Sequence, residues 1–193
     1  KKLCEKYNVL FIADEIQTGV CRTGELLACH HENIKPDITI LGKALAGGFY
    51  PVSAVLTNKK IMNVMKVGQH GSTFGGNPLA CVVAKEAIKF AVENNLAERA
   101  HNLGLIFRNY LIDQIENLSV IKFVRGKGLL NAIVLNCDVN SKIPWDICLS
   151  MRDNGLLAKP TQGNKIRFAP PLIITEKQLF TSLKIITKSL KNF

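Results

Sequence analysis

The sequence predicts an α/β fold: the C-terminal part of a large domain with a mainly parallel sheet, then a smaller α+β domain. Three observations predict it. First, short continuous apolar runs alternate with helical or loop stretches through the first half, as buried strands of a parallel sheet do. Second, beyond Asn117 short strands and helices are mixed more densely. Third, 47% of the 193 residues are apolar and 21% charged, enough to bury a real core and too apolar for a disordered chain.

The elements follow in order. VLFIADE (Val9–Glu15) is an apolar run ending in acid, read as a strand buried on both faces. Leu26–Asn33 reads as a short helix, ITIL (Ile38–Leu41) as a second strand and VSAVLT (Val52–Thr57) as a third. A helical stretch covers Lys59–Val67, and the loop GQHGSTFGGNP follows. Asn77 is a natural cap and Pro78 a natural first residue for a helix running to about Asn94. A second helix, Leu96–Asn117, carries Leu103, Phe107, Tyr110, Leu111 and Ile115 on one face. Strands at Val120–Val124 and Leu129–Leu135 flank the turn Arg125-Gly126-Lys127-Gly128. A helix Pro144–Asn154, strands Leu156–Lys159 and Lys165–Phe168, and a final helix Glu176–Asn192 complete the chain. The change of character places a boundary near residue 95, giving domains 1–95 and 96–193.

Charge and cysteine content narrow the function class. Lys and Arg number 25 against 15 acids, and 19 of the cations are lysines. They form no stripe with interleaved aromatics, so nucleic acid is not an expected partner. No apolar run reaches the ~18 residues of a membrane span. The six cysteines include no C-x-x-C pair, and Cys29-His30-His31 has the wrong spacing for a zinc site, so no metal is expected. Their apolar contexts suit a reducing compartment, the cytoplasm or an organelle matrix such as that of the mitochondrion.

Ligands in α/β sheets bind beyond the carboxyl ends of strands. Asp14 and Glu15 end the first strand, and Gln17 follows in DEIQTG; Lys43 comes just past the second strand in ITILGKALAGG. Flanked by Leu41, Gly42, Ala44 and Leu45, Lys43 is expected to be desolvated and hence nucleophilic. A carboxylate and a lysine at neighbouring strand ends suit a cofactor with a cationic ring nitrogen and an aldehyde, which is pyridoxal 5'-phosphate. Ser72 and Thr73, with Gly71, Gly75 and Gly76, offer hydroxyls and N–H groups for its phosphate.

The segments LFIADEIQTGVCRTG, PDITILGKALAGGFYPVSAV, HGSTFGGNPLACVVA and NKIRFAPPLIIT, in this order, resemble class III pyridoxal-phosphate-dependent aminotransferases, and LLAKPTQGNKIRFAPPL is most similar to the ornithine-using branch. The resemblance spans the whole chain. It implies fold type I of the pyridoxal-phosphate-dependent transferases. It implies that Lys43 is the Schiff-base lysine and later the proton shuttle, that Asp14 pairs with the pyridine nitrogen, and that Gln17 bonds the ring's phenolic oxygen. Thr73, with Ser72 beside it, would reach the phosphate in the partner's site of a homodimer, and Arg167 would clamp a substrate carboxylate. The implied reaction moves the δ-amino group of L-ornithine to 2-oxoglutarate, giving glutamate 5-semialdehyde and glutamate. Acetylornithine is the alternative amine.

Family members are about twice this long, and the chain starts without methionine at KKLCEKYN. It is therefore expected to be the C-terminal part of a longer enzyme, to leave Val9–Ala13 poorly covered, and not to bind the cofactor productively by itself. Two rival readings fit less well. A P-loop ATPase needs G-x-x-x-x-G-K-[ST], which neither Gly42-Lys43 nor Gly126-Lys127 completes. A non-catalytic interaction module on the same fold would have no need of Lys43 together with Asp14, Gln17, Thr73 and Arg167.

Overall fold

The computed structural model describes residues 1–114 and 117–193. They fall into two compact units, Lys1–Ala97 and Glu98–Phe193.

The first unit opens with helix α1 (Lys2–Lys6) and strand β1 (Ile12–Asp14), followed by a 3-10 turn at Ala28–Glu32 and strand β2 (Ile38–Leu41). A second 3-10 turn, Lys43–Ala46, leads to β3 (Ala54–Thr57), α2 (Lys59–Met62) and α3 (Pro78–Glu93). The sheet order is β1-β2-β3. β1 and β2 are parallel, with Asp14 opposite Ile40. β3 returns antiparallel to β2 with Leu41 opposite Ala54. The link from β2 to β3 holds only a 3-10 turn, with no crossover helix to carry the chain back for a parallel pairing.

β1 is shorter than its apolar run, and it is not buried on both faces: Val9, Leu10 and Ile12 are 55%, 54% and 52% exposed. That agrees with the expectation of poor cover over Val9–Ala13. The predicted helix at Leu26–Asn33 is a 3-10 turn closed by Asn33 in a left-handed conformation. The helix expected over Lys59–Val67 stops at Met62, where a turn takes over and the Gln69 side chain accepts from Lys66 N–H. α3 starts where the sequence places it, since Asn77 Oδ1 accepts from Ala80 N–H and Pro78 occupies the first turn.

Helix α4 (Leu96–Ile112) runs into the second unit and ends before Asn117; Ile115, expected on its apolar face, lies outside the described residues. There follow β4 (Ile121–Lys127), β5 (Leu130–Leu135), α5 (Ile143–Asp153), β6 (Lys159–Thr161), β7 (Lys165–Phe168) and α6 (Glu176–Leu190). These strands form an antiparallel sheet in the order β4-β5-β7-β6. The hairpin turn tightens to Gly128-Leu129, so Arg125, Gly126 and Lys127 belong to β4 and not to the turn. β6 begins at Lys159 and not Leu156, because its ladder exists only opposite β7, which Pro170 and Pro171 follow.

One face of this sheet packs on α4, α5 and α6. Phe107, Leu111, Ile133, Leu135, Ile147, Met151, Ile166, Leu179, Leu183 and Ile186 form a continuous core there. Phe107 and Phe168 lie 5.5 Å apart by ring centroid, and Tyr110 meets Phe180 edge-on. α6 is fixed at its start by a capping box between Thr175 and Gln178.

Candidate active site

Asp14 closes β1 opposite Ile40, and the Glu15 N–H donates to the Ile40 carbonyl at 2.9 Å. Beyond Leu41 the chain passes through extended Gly42 into the turn that Lys43 opens. A carboxylate and an amine thus leave the sheet from the carboxyl ends of two adjacent parallel strands. A Cβ built on Gly42 would come to 3.4 Å from Ile16 Cγ2, so this position lies in van der Waals reach of the turn beyond Asp14. Asp14 Oδ1 accepts from Ile16 N–H at 3.1 Å, which orients its carboxylate.

Lys43 adopts a left-handed φ of 47°. For a residue with a side chain this costs about 1 kcal/mol or more, and such strain gathers at functional positions. Leu45 and Ala46 turn inward and are buried, in a turn that packs against α3. The lysine, on the other side of that turn, is exposed. Burial of the amine among its apolar neighbours, expected from the sequence, is therefore corrected: Leu41 and Leu45 are buried while the lysine is exposed.

Gln17 is exposed and sits in the turn that follows β1, closed by Gly19 N–H donating to the Glu15 carbonyl. Glu15 itself is 3% exposed. Its carboxylate accepts from the Thr18 hydroxyl, from Ala28 N–H at 3.0 Å and from Cys29 N–H at 2.8 Å. Burial alone would push this carboxyl up, but the hydrogen bonds from Thr18, Cys29 and Ala28 outweigh it and hold the group below the usual glutamate range. From the sequence alone Glu15 is only a second acid at a strand end. The signal available was a threonine three residues on, in E-I-Q-T.

Ser72 and Thr73 lie exposed in the loop before α3. The Ser72 hydroxyl accepts from Gly75 N–H at 3.1 Å, closing a local turn, and Asn77 Nδ2 donates to the Phe74 carbonyl. Arg167 belongs to the second unit, in mid-β7 on the exposed side of the sheet, flanked by Ala132 on β5 and Lys159 on β6. An apolar groove of about 730 Å³ beside it is lined by Phe107, Leu156, Phe168, Pro171, Leu179 and Ile186. The structure brings Asp14, Gln17 and Lys43 to one sheet edge, whereas Ser72 and Thr73 stand on a separate loop and Arg167 in the other unit. Cys21 and Cys148 are buried, and burial pushes the Cys148 thiol up to about 11. Among the described residues no cluster of His, Cys, Asp and Glu could hold a metal, and no helix is long and apolar enough to cross a membrane.

The family model for Aminotransferase class-III matches residues 1–190. The chain belongs to the class III aminotransferases. A mitochondrial ornithine aminotransferase of Drosophila melanogaster is 55% identical over 98% of the chain, which covers 43% of that protein. An acetylornithine aminotransferase structure from Elizabethkingia anophelis superposes with a TM-score of 0.96 at 60% identity, covering all of this chain and 48% of that one. An ornithine aminotransferase structure from Toxoplasma gondii, with pyridoxal phosphate at partial occupancy in its active site, gives 0.93 at 46% identity over 99% of this chain and 45% of that one. The chain thus spans less than half the length of these three relatives.

Class III aminotransferases use pyridoxal phosphate. The donor set at the β1–β2 edge fits that group: an accessible primary amine for an aldehyde, a carboxylate for a ring N–H, and a carboxamide close by in the same turn.

Proposed function

We propose that this chain is part of an ornithine aminotransferase. On this reading residues 1–97 are the end of its large cofactor-binding domain and residues 98–193 its small domain. The observation that carries the proposal is the parallel β1–β2 pair, which sets Asp14 and Lys43 at one sheet edge. Bound pyridoxal phosphate supplies an aldehyde carbon and an electron-accepting ring. Lys43 Nζ would hold that carbon and is the base that would move the proton of the substrate's amine-bearing carbon. The Asp14 carboxylate keeps a proton on the ring nitrogen, and the Gln17 carboxamide donates to the ring's phenolic oxygen. The Thr73 hydroxyl, with Ser72 shaping its turn, reaches the phosphate in the second subunit of a homodimer; its exposure on a loop supports that role. Arg167 offers a planar fork to a substrate carboxylate, a geometry that lysine lacks.

The substrates are L-ornithine and 2-oxoglutarate, and the compartment is the cytoplasm or, as in the Drosophila relative, the mitochondrion. A second reading, acetylornithine as the amine, is favoured by the 60% identity to the acetylornithine aminotransferase structure. The complete protein separates them. The reading predicts a faster first half-reaction with L-ornithine than with N-acetylornithine, and loss of both with Lys43→Ala. A faster reaction with the acetylated amine would overturn the choice of substrate.

A further inference from the structure

The loop between β1 and the 3-10 turn at Ala28–Glu32 contains a backbone that does not persist unaided. Val20 and Cys21 are consecutive left-handed residues, at φ 52° and 68°, and neither is glycine. For a β-branched residue that region is an outlier, held only where the surroundings over-determine it. Cys21 N–H donates to the Leu26 carbonyl and Gly24 N–H to the Cys21 carbonyl within the bend, and one carboxylate ties its two ends. Glu15 accepts from Thr18 on the near side of the strained pair and from Ala28 and Cys29 on the far side. Its backbone N–H is tied to β2. A single buried side chain therefore staples both ends of the loop to the strand end, and Asp14 and Gln17 flank that staple in the sequence.

We propose that Glu15 is a positioning residue, whose carboxylate clamps the loop 16–29 and thereby fixes Gln17 beside Asp14 at the Lys43 edge. The clamp stands on the hydrogen bonds alone; its consequence for the cofactor rests on the aminotransferase reading. The carboxylate is hard to replace. Thr18, Ala28 and Cys29 all turn donors toward its two oxygens, so glutamine would set an amide N–H₂ against at least one of them, and aspartate is a methylene too short.

Amide hydrogen exchange on the 193-residue chain tests the clamp without any cofactor. In Glu15→Gln, protection at Gly19, Ala28 and Cys29 should fall by about tenfold or more, while protection at the β2 amides changes less than about twofold. Thr18→Val, which removes one donor, should give a smaller loss at the same amides. Cys21→Gly added to Glu15→Gln should recover part of the protection, because glycine adopts a left-handed φ without strain. Unchanged exchange at the three amides would overturn the proposal. So would a loss spread evenly over β1, β2 and β3, which marks an ordinary stabiliser. In the complete, cofactor-bearing protein, Glu15→Gln should shift the pH midpoint of the cofactor's visible band while Lys43 still binds it. Altered exchange with an unshifted band overturns the positioning of Gln17. A wild-type protein with no such band sinks the aminotransferase reading, and the exchange result then decides the clamp alone.

Discussion

Hydrogen bonds to the Glu15 carboxylate, together with the Lys1–Asp37 pair, shape how the first unit answers acid. Burial favours the neutral form, yet the bonds from Thr18, Cys29 and Ala28 win and lower the folded-state value. Stability from this group is thus fully present above the unfolded glutamate value, about 4.3, and is lost as pH falls through the lower folded one. Urea midpoints of the chain should drop between neutral pH and the region below that value, and Glu15→Gln should flatten the dependence. An equally steep profile in the variant would contradict this assignment. The positions of Asp14 and Lys43 at strand ends were legible in the sequence because each follows an apolar run. Glu15's work was not, since two of its donors come from residues 28 and 29, which only the folded loop brings back to the strand end.

Secondary elements show where close approach sets the limits. A Cβ on Gly104 of α4 would lie 1.9 Å from the Gly128 carbonyl oxygen of the β4–β5 turn. Arg108, from the same helix, donates to that carbonyl and to Asn131 Oδ1, so helix and hairpin are pinned together. Gly104→Ala should therefore destabilise, although alanine gains about 1 kcal/mol of helix propensity over glycine. Equilibrium urea unfolding checks the sign. In α6, Leu183 is fully buried, and Leu183→Ala should cost about 2–5 kcal/mol through transfer and cavity terms. Thr175→Ala, which removes the capping box, should cost about 1 kcal/mol by the same measurement. The start of α3 was readable from Asn77-Pro78 because a cap is local chemistry. The antiparallel return of β3, the late start of β6 and the two-residue hairpin turn were not, because register depends on partners distant in the sequence.

At the scale of the whole molecule, the two units differ in how much they bury. The second holds a continuous core from Ala100 to Leu190, so residues 96–193 made alone should unfold cooperatively in urea with the midpoint seen in the full chain. The first exposes Val9, Leu10, Ile12, Val55 and Leu56 on strands or their approaches. Residues 1–97 should accordingly bind a hydrophobic dye more strongly than residues 96–193. The alternating strands and apolar fraction made the α/β class readable; the openness of the Lys43 edge was not, because which side of a turn faces outward depends on packing against α3. The central claim is that this edge holds pyridoxal phosphate through Lys43. Borohydride reduction of the complete, cofactor-loaded protein, followed by peptide mass mapping, tests it most directly. The account predicts a pyridoxyl adduct on Lys43 that vanishes in Lys43→Ala; an adduct on another lysine, or none, would contradict it.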